Sequence, residues 1–284
     1  MLQIDRPRGR QAARRLTVFL VTLLSGACGQ GAEALDAESR KSGGTTVAVL
    51  GMIHGAHLES SRWGLDQVRE AIRRIDPDVI CAEIPPDRWP KIWRDYSERG
   101  VIEDSRVKRF PEYTEVLLPL KLEMGFVVEP CAAWTQEMAD ERKARLEALE
   151  VSTELRSLHE RFEQREEEIA ARLAEQPIVD DDPLLIHSPL YDERTREELA
   201  AYDELLNDYL GAGGWTNINR SHWALVEAAI ARHPGKRILI TFGAGHKYWF
   251  LDRLRERDDL RLLDLEEYLV DLGFDDDAGV SAGR

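Results

Sequence analysis

The chain has 284 residues, enough for one large domain or two small ones with ample core. Hydrophobic residues at 43% and charged residues at 32% place it among soluble globular proteins, toward the charged end. A formal net charge of -15 argues against a nucleic-acid partner and against docking of the folded domain on an anionic membrane, both of which need a basic footprint.

Residues 1–28 read as an export signal. Arg6, Arg8, Arg10, Arg14 and Arg15 form a basic region, Leu16 to Leu24 an apolar core too short to span a bilayer, and Ser25, Gly26 and Ala27 lead to Cys28. The run LSGAC resembles a bacterial lipobox, with Ser25 at the position where Leu is usual. That resemblance implies a lipidated Cys28 and an exported lipoprotein of a bacterial envelope, touching the membrane only through its N-terminal lipid anchor. Ordinary cleavage near Ala27 is the alternative and leaves Cys28 incidental. Removing residues 1–27 takes away five Arg and one Asp, so the formal charge moves from -15 to about -19. Residues 29–44 are small and polar, a flexible tether.

From Thr45 strands and helices alternate. TTVAVLG is an apolar β-branched run ending at Gly51, and the next segment predicts a helix with Ser60 or Ser61 as N-cap and Trp63, Val68, Ile72 and Ile75 on one face. DPDVICAEIPP predicts a second buried strand closed by Glu83 and two prolines. PEYTEVLLPLKLEMG is helix-like up to Gly125, and FVVEPCAAW resumes strand character. Cys81 and Cys131 lie in or beside these runs, as a disulfide or as two buried thiols. No CxxC occurs, so a thiolate zinc site is not indicated.

The stretch from about 135 to 176 is rich in Glu, Arg, Ala and Leu and has no Gly or Pro before its end. It predicts one long helix or a helical hairpin, with Leu146, Leu149, Leu155, Leu158, Phe162, Ile169 and Leu173 as an intermittent apolar stripe. Its role is an arm over a site or at a dimer interface, or simply a solvated excursion. Gln176 to Glu193 reads as a returning loop. Helices are expected around Arg196 to Leu210 and Asn217 to Arg232, then a strand from Arg237 to Phe242, a helix, a last strand at LRLLDL, and a disordered tail over 273–284. Apolar strands joined by helices predict a mixed, mostly parallel α/β sheet covered on both faces, as a single domain over 45–272.

One pattern recurs. VAVLGMIH and ILITFGAGH each carry an apolar strand, a glycine, two residues and a histidine. Carboxyl ends of parallel strands open onto the crevice where ligands bind. Glycine lets the backbone turn and approach closely there. His54 and His246 therefore stand at such a rim as metal ligands or acid–base groups, and Glu83 ends the second strand in the same way. His57 and His222 are further candidates; His159, His187 and His233 receive no role.

GMIH, AEIPP, INRSHW and FGAGH together resemble the TraB/TIKI proteins, within a wider group that includes ChaN-like haem-binding lipoproteins and erythromycin esterases. The resemblance covers roughly 45–130 and 215–270. Carried over by position, the family pattern falls on Gly51 and His54, on Glu83, on Asn219 and Arg220, and on Gly243 and His246, with Gly245 and His57 supporting. Members often show Arg before Asn, whereas Asn219 precedes Arg220 here, so either one is the residue that reaches the site. The resemblance implies a hydrolase of a peptide or small-molecule ester that uses a divalent metal held by His54 and His246, with Glu83 as third ligand or as general base. Arg220 would steady the anionic intermediate. It also admits a metal-independent His/Glu esterase, or a haem- or iron-binding lipoprotein without catalysis.

Overall fold

The computed structural model describes residues 43–179 and 181–272. The expected export signal, Cys28, nearly all of the tether and the tail lie outside the described residues.

The apolar runs become five short strands: β1 (Thr45–Met52), β2 (Val79–Ala82), β3 (Val127–Pro130), β4 (Arg237–Gly243) and β5 (Leu260–Leu262). They form one sheet in the order β3-β2-β4-β1-β5, and every pairing is parallel. The α/β expectation holds. All pairings are parallel because the chain returns between successive strands through helical crossovers rather than hairpins. The central strands β1 and β4 are buried almost throughout, which explains why their sequences are continuously apolar rather than alternating.

The strand order fixes where a ligand can enter. After β1 the chain crosses toward β2 on one side; after β4, which lies beside β1, it crosses toward β5 on the other. The two exits diverge and leave a crevice between the carboxyl ends of β1 and β4, the switch point of an open parallel sheet. Both GxxH motifs sit there.

Helix α1 (Leu65–Ile75) buries Val68, Ala71, Ile72 and Ile75 against the sheet. It begins later than the serines suggested. Gly64 is the N-cap, with the Gln67 side chain accepting from its N–H at 3.1 Å. Ser60 instead shapes the preceding turn, its hydroxyl accepting from the N–H of Trp63 at 2.8 Å. After β2 come α2 (Trp89–Arg99), then a π-helical turn (Glu112–Leu117) running straight into α3 (Leu118–Met124), which ends at left-handed Gly125 (φ 75°).

The charged excursion is a hairpin of α4 (Gln136–Val151) and α5 (Arg156–Ala174). Only Leu149 and Ile169 of its expected stripe are fully buried; the other five are half-covered. The expected loop over 176–193 is shorter than that, because Asp182 and Ser188 act as N-caps for α6 (Pro183–Ile186) and α7 (Pro189–Glu198). Then α8 (Ala200–Leu206) leads through a glycine turn to α9 (Trp215–Arg232), and α10 (Ala244–Arg255) and α11 (Glu266–Leu269) follow β4 and β5. No helix among the described residues is long and apolar enough to cross a membrane.

Candidate functional site

At the end of β1 the chain enters a 3-10 turn (His54–Leu58), and His54 takes a left-handed φ of 53°. That conformation is strained for a residue with a Cβ and persists where surrounding contacts enforce it. His57 supplies some of those contacts. Its Nε2 accepts from the N–H of Ile53 at 3.0 Å, and its Nδ1–H donates to the carbonyl of Trp63 at 2.6 Å. Both ring nitrogens are thereby used, so His57 braces the turn that presents His54.

The His54 ring is held from behind. Its Nδ1–H donates to Glu112 Oε1 at 2.6 Å, and Phe110 packs on it with ring centroids 4.7 Å apart. Its Nε2 lies 3.8 Å from Glu83 Oε2. Burial lowers the pKa of His54, but the hydrogen bond and charge of Glu112, with help from Glu83, outweigh it and leave the group above its ordinary value.

The β4 exit is the counterpart. His246 Nδ1 meets Asn219 Oδ1 at 2.6 Å, and Asn219 Nδ2 donates to the Trp215 carbonyl at 2.8 Å. The amide orientation is thus fixed with its oxygen toward His246, which must carry its proton on Nδ1. Trp215 stacks on the ring at 4.7 Å. Burial, against the pull of Glu83, lowers the pKa of His246 to about 4.

Glu83 sits between the two. The N–H of Gly243 donates to its Oε2 at 2.9 Å. Burial pushes its carboxyl up, but His246, His54 and the Gly243 N–H hold it well below the usual carboxylate range. Tyr113, the residue after Glu112, clamps the backbone here. Its hydroxyl accepts from Glu83 N–H at 2.9 Å and donates to the Thr241 carbonyl at 2.7 Å. The two glycine motifs interlock: a Cβ at Gly243 would come within 2.5 Å of His54 Nε2, and one at Gly51 within 3.1 Å of the Ala244 Cβ. The glycine of the second motif makes room for the histidine of the first.

As neutral rings His54 and His246 share one tautomer, with Nδ1 protonated and the lone pair on Nε2. His222 has the other: its Nδ1 accepts from the N–H of Ala133 at 2.9 Å, so the neutral ring carries its proton on Nε2. Four buried polar atoms around these exits have no hydrogen-bond partner: Glu83 Oε1, Glu112 Oε2, His222 Nε2 and Trp134 Nε1. Buried polar atoms are otherwise almost always paired, so such a grouping marks a place built for something polar.

The structure therefore gathers His54, Glu83, Asn219 and His246, with Gly51 and Gly243 at their necks. It answers the open choice on α9: Asn219 reaches the site, while Arg220 is exposed and donates to Asn217 Oδ1 at 3.3 Å. Gly245 only touches Trp215, with 3.7 Å of room for a Cβ. Three residues escaped the sequence reading. Glu112 looks like any of the chain's other carboxylates until the π-helical turn aims it at His54. Arg106 is half-buried with no ion-pair partner among the described residues; burial lowers its pKa against the attraction of Glu83, which sets it in that carboxylate's field. His187, assigned no role, accepts from the N–H of Gly51 at 2.9 Å, beyond the point where short β5 could pair with β1. The two cysteines are buried free thiols.

A divalent ion at a catalytic site takes about three protein ligands around one point. His54 and Glu83 offer two donors 3.8 Å apart, but no group of three or more His, Cys, Asp or Glu side chains among the described residues is disposed to hold an ion. No protein-family model, curated protein or solved structure matches the chain, so the TraB/TIKI resemblance rests on the motif residues alone.

Proposed function

We propose that the crevice between β1 and β4 is the active site of a metal-independent hydrolase acting on an ester or amide. The observation that carries this reading is the carboxylate–histidine pair Glu112–His54, closed at 2.6 Å, with the free Nε2 beside a second, ionised carboxylate. A base whose ring is oriented by a third group is the recurring arrangement for activating a nucleophile. In this reading His54 Nε2 takes a proton from water, and Glu83 stabilises the imidazolium that results. His246, kept neutral by burial, holds the same water through its Nε2 lone pair. Arg106 takes the electropositive role expected of Arg220.

A resident divalent ion is the second reading. Its support is the hydrogen bonding of the rings: metal-bound histidines donate their other N–H to a carboxylate or carbonyl, as His54 does to Glu112 and His246 to Asn219. The residues expected to hold the ion, His54, His246 and Glu83, are not disposed as a set of three ligands here; an ion held there would supply a water of lowered pKa. The haem reading has no comparable observation on its side.

Hydrolysis of p-nitrophenyl acetate, p-nitrophenyl butyrate and a peptide p-nitroanilide in excess EDTA separates these. Turnover that survives EDTA and disappears in His54→Ala is the expected result. Turnover lost to EDTA and restored by stoichiometric zinc or manganese supports the second reading; no turnover under either condition removes both.

A further inference from the structure

We propose that His222 is a catalytic electrophile of this site, its Nε2–H donating to the carbonyl oxygen of the bound acyl compound and holding that oxygen as it becomes anionic. The proposal rests on the hydrolase reading and adds to it a neutral N–H donor that shares the developing negative charge with Arg106. His222 is fully buried on α9, one turn beyond Asn219 and on the same face. Its ring stands edge-on to His246 with centroids 5.3 Å apart, and lies 5.3 Å from Phe242 at the end of β4. Its Nδ1 is occupied by the Ala133 N–H, so the neutral ring has a single protonation pattern and that pattern presents a donor.

The donor is unused. Nε2 has no partner among the described residues, and buried N–H groups are rarely left unmet. His57 makes the contrast: it is as buried as His222, but both its nitrogens are bonded to backbone. Trp134, next after Ala133, carries another unpartnered buried donor, Nε1. The polar atoms left free thus divide by function. In this assignment the lone pairs on His54 and His246 serve the water that must lose a proton, and the His222 N–H serves the oxygen that must gain charge.

The reaction balances without any further reagent. The water oxygen bonds to the acyl carbon, the carbonyl π pair moves onto the oxygen held by His222, and the water proton passes to His54 Nε2. Collapse of the adduct restores the carbonyl and breaks the bond to the leaving group, which takes the proton from His54. His222 keeps its proton throughout, so its task is electrostatic. Neutral donors fixed in a water-poor site contribute most when charge develops, typically 10²–10³ in kcat for a single donor.

Two measurements on the full chain test this. In the 15N-labelled protein at neutral pH, the long-range 1H–15N pattern of His222 is expected to show Nε2–H with bare Nδ1. Its Nε2–H proton is expected to move on titration with methylphosphonate, a tetrahedral anion. On p-nitrophenyl acetate, His222→Phe is expected to lose about 10²–10³ in kcat with KM within about threefold. His222→Gln, whose amide can accept from Ala133 and still donate, is expected to recover part of the loss. An Nδ1–H tautomer, an Nε2–H signal indifferent to methylphosphonate, or equal kcat in wild type and both variants overturns the assignment. If the wild type hydrolyses nothing, the hydrolase reading falls and the electrophile falls with it. The methylphosphonate response then reports only whether the donor faces an anion.

Discussion

At the scale of residues, the site is defined by which nitrogen of each histidine carries the proton. Glu112 and Asn219 put the protons of His54 and His246 on Nδ1, whereas a backbone N–H puts that of His222 on Nε2. These choices cannot be read from residue type, which is why the sequence shows that histidines are present but not what they do. Gly243 gives the sharpest residue-scale consequence. Its Cβ position lies 2.5 Å from His54 Nε2, while that of Gly245 has 3.7 Å to Trp215. Gly243→Ala is therefore expected to displace the His54 ring and lower kcat/KM by at least about 10²-fold, since small misplacements of reacting groups are that costly. Gly245→Ala is expected to stay within about twofold of wild type. Steady-state rates of the two variants, which differ only in which glycine of one motif is filled, check this.

At the scale of elements, the strand exits depend on packing from the helices behind them. Lys247, next after His246 on α10, is fully buried and ion-paired to Asp192 on α7; burial lowers the pKa of the lysine and raises that of the aspartate. Removing one member of a buried pair leaves a charge without its partner and costs about 3–5 kcal/mol. Asp192→Ala is thus expected to lower the stability read from urea unfolding by that amount, and Asp192→Leu combined with Lys247→Met by clearly less. The sheet and its helices were legible because β1 and β4 are apolar without interruption, as only strands covered on both faces are. The helix boundaries were less so: Ser60 has the chemistry of an N-cap but spends it on Trp63, and α6 and α7 are short helices started by Asp182 and Ser188 inside what reads as loop. Glu83 and the two GxxH histidines were legible because strand ends are local in sequence. Glu112, 58 residues from His54, was not, since no local pattern marks a carboxylate whose partner is made by folding. Arg220 misled because its neighbour on the helix, Asn219, is the one that faces inward.

At the scale of the molecule, several buried histidines are kept neutral. Burial lowers the pKa of His246 to about 4 and of His187 to about 3, and carries His57 and His222 down as well. The unfolded chain takes up these protons below about pH 6.5, while the folded chain resists. Stability is therefore lost as pH falls from about 6.5 toward 4. His54, whose folded pKa is raised, acts in the opposite sense: its contribution is full below about 6.5 and fades as pH rises through the folded value. Four groups against one set the net direction, and the urea midpoint is expected to be lower at pH 5 than at pH 7. The central claim is that Glu112 and His54 act together as the base, and the pH dependence of kcat/KM tests it most directly. In the wild type the acidic limb is expected to rise through an apparent pKa above 6.5, because the base must be neutral and Glu112 raises its pKa. In Glu112→Gln the limb is expected to shift to lower pH and the plateau to fall by roughly 10²–10⁴. A Glu112→Gln profile with the same limb and the same plateau as the wild type would contradict the account.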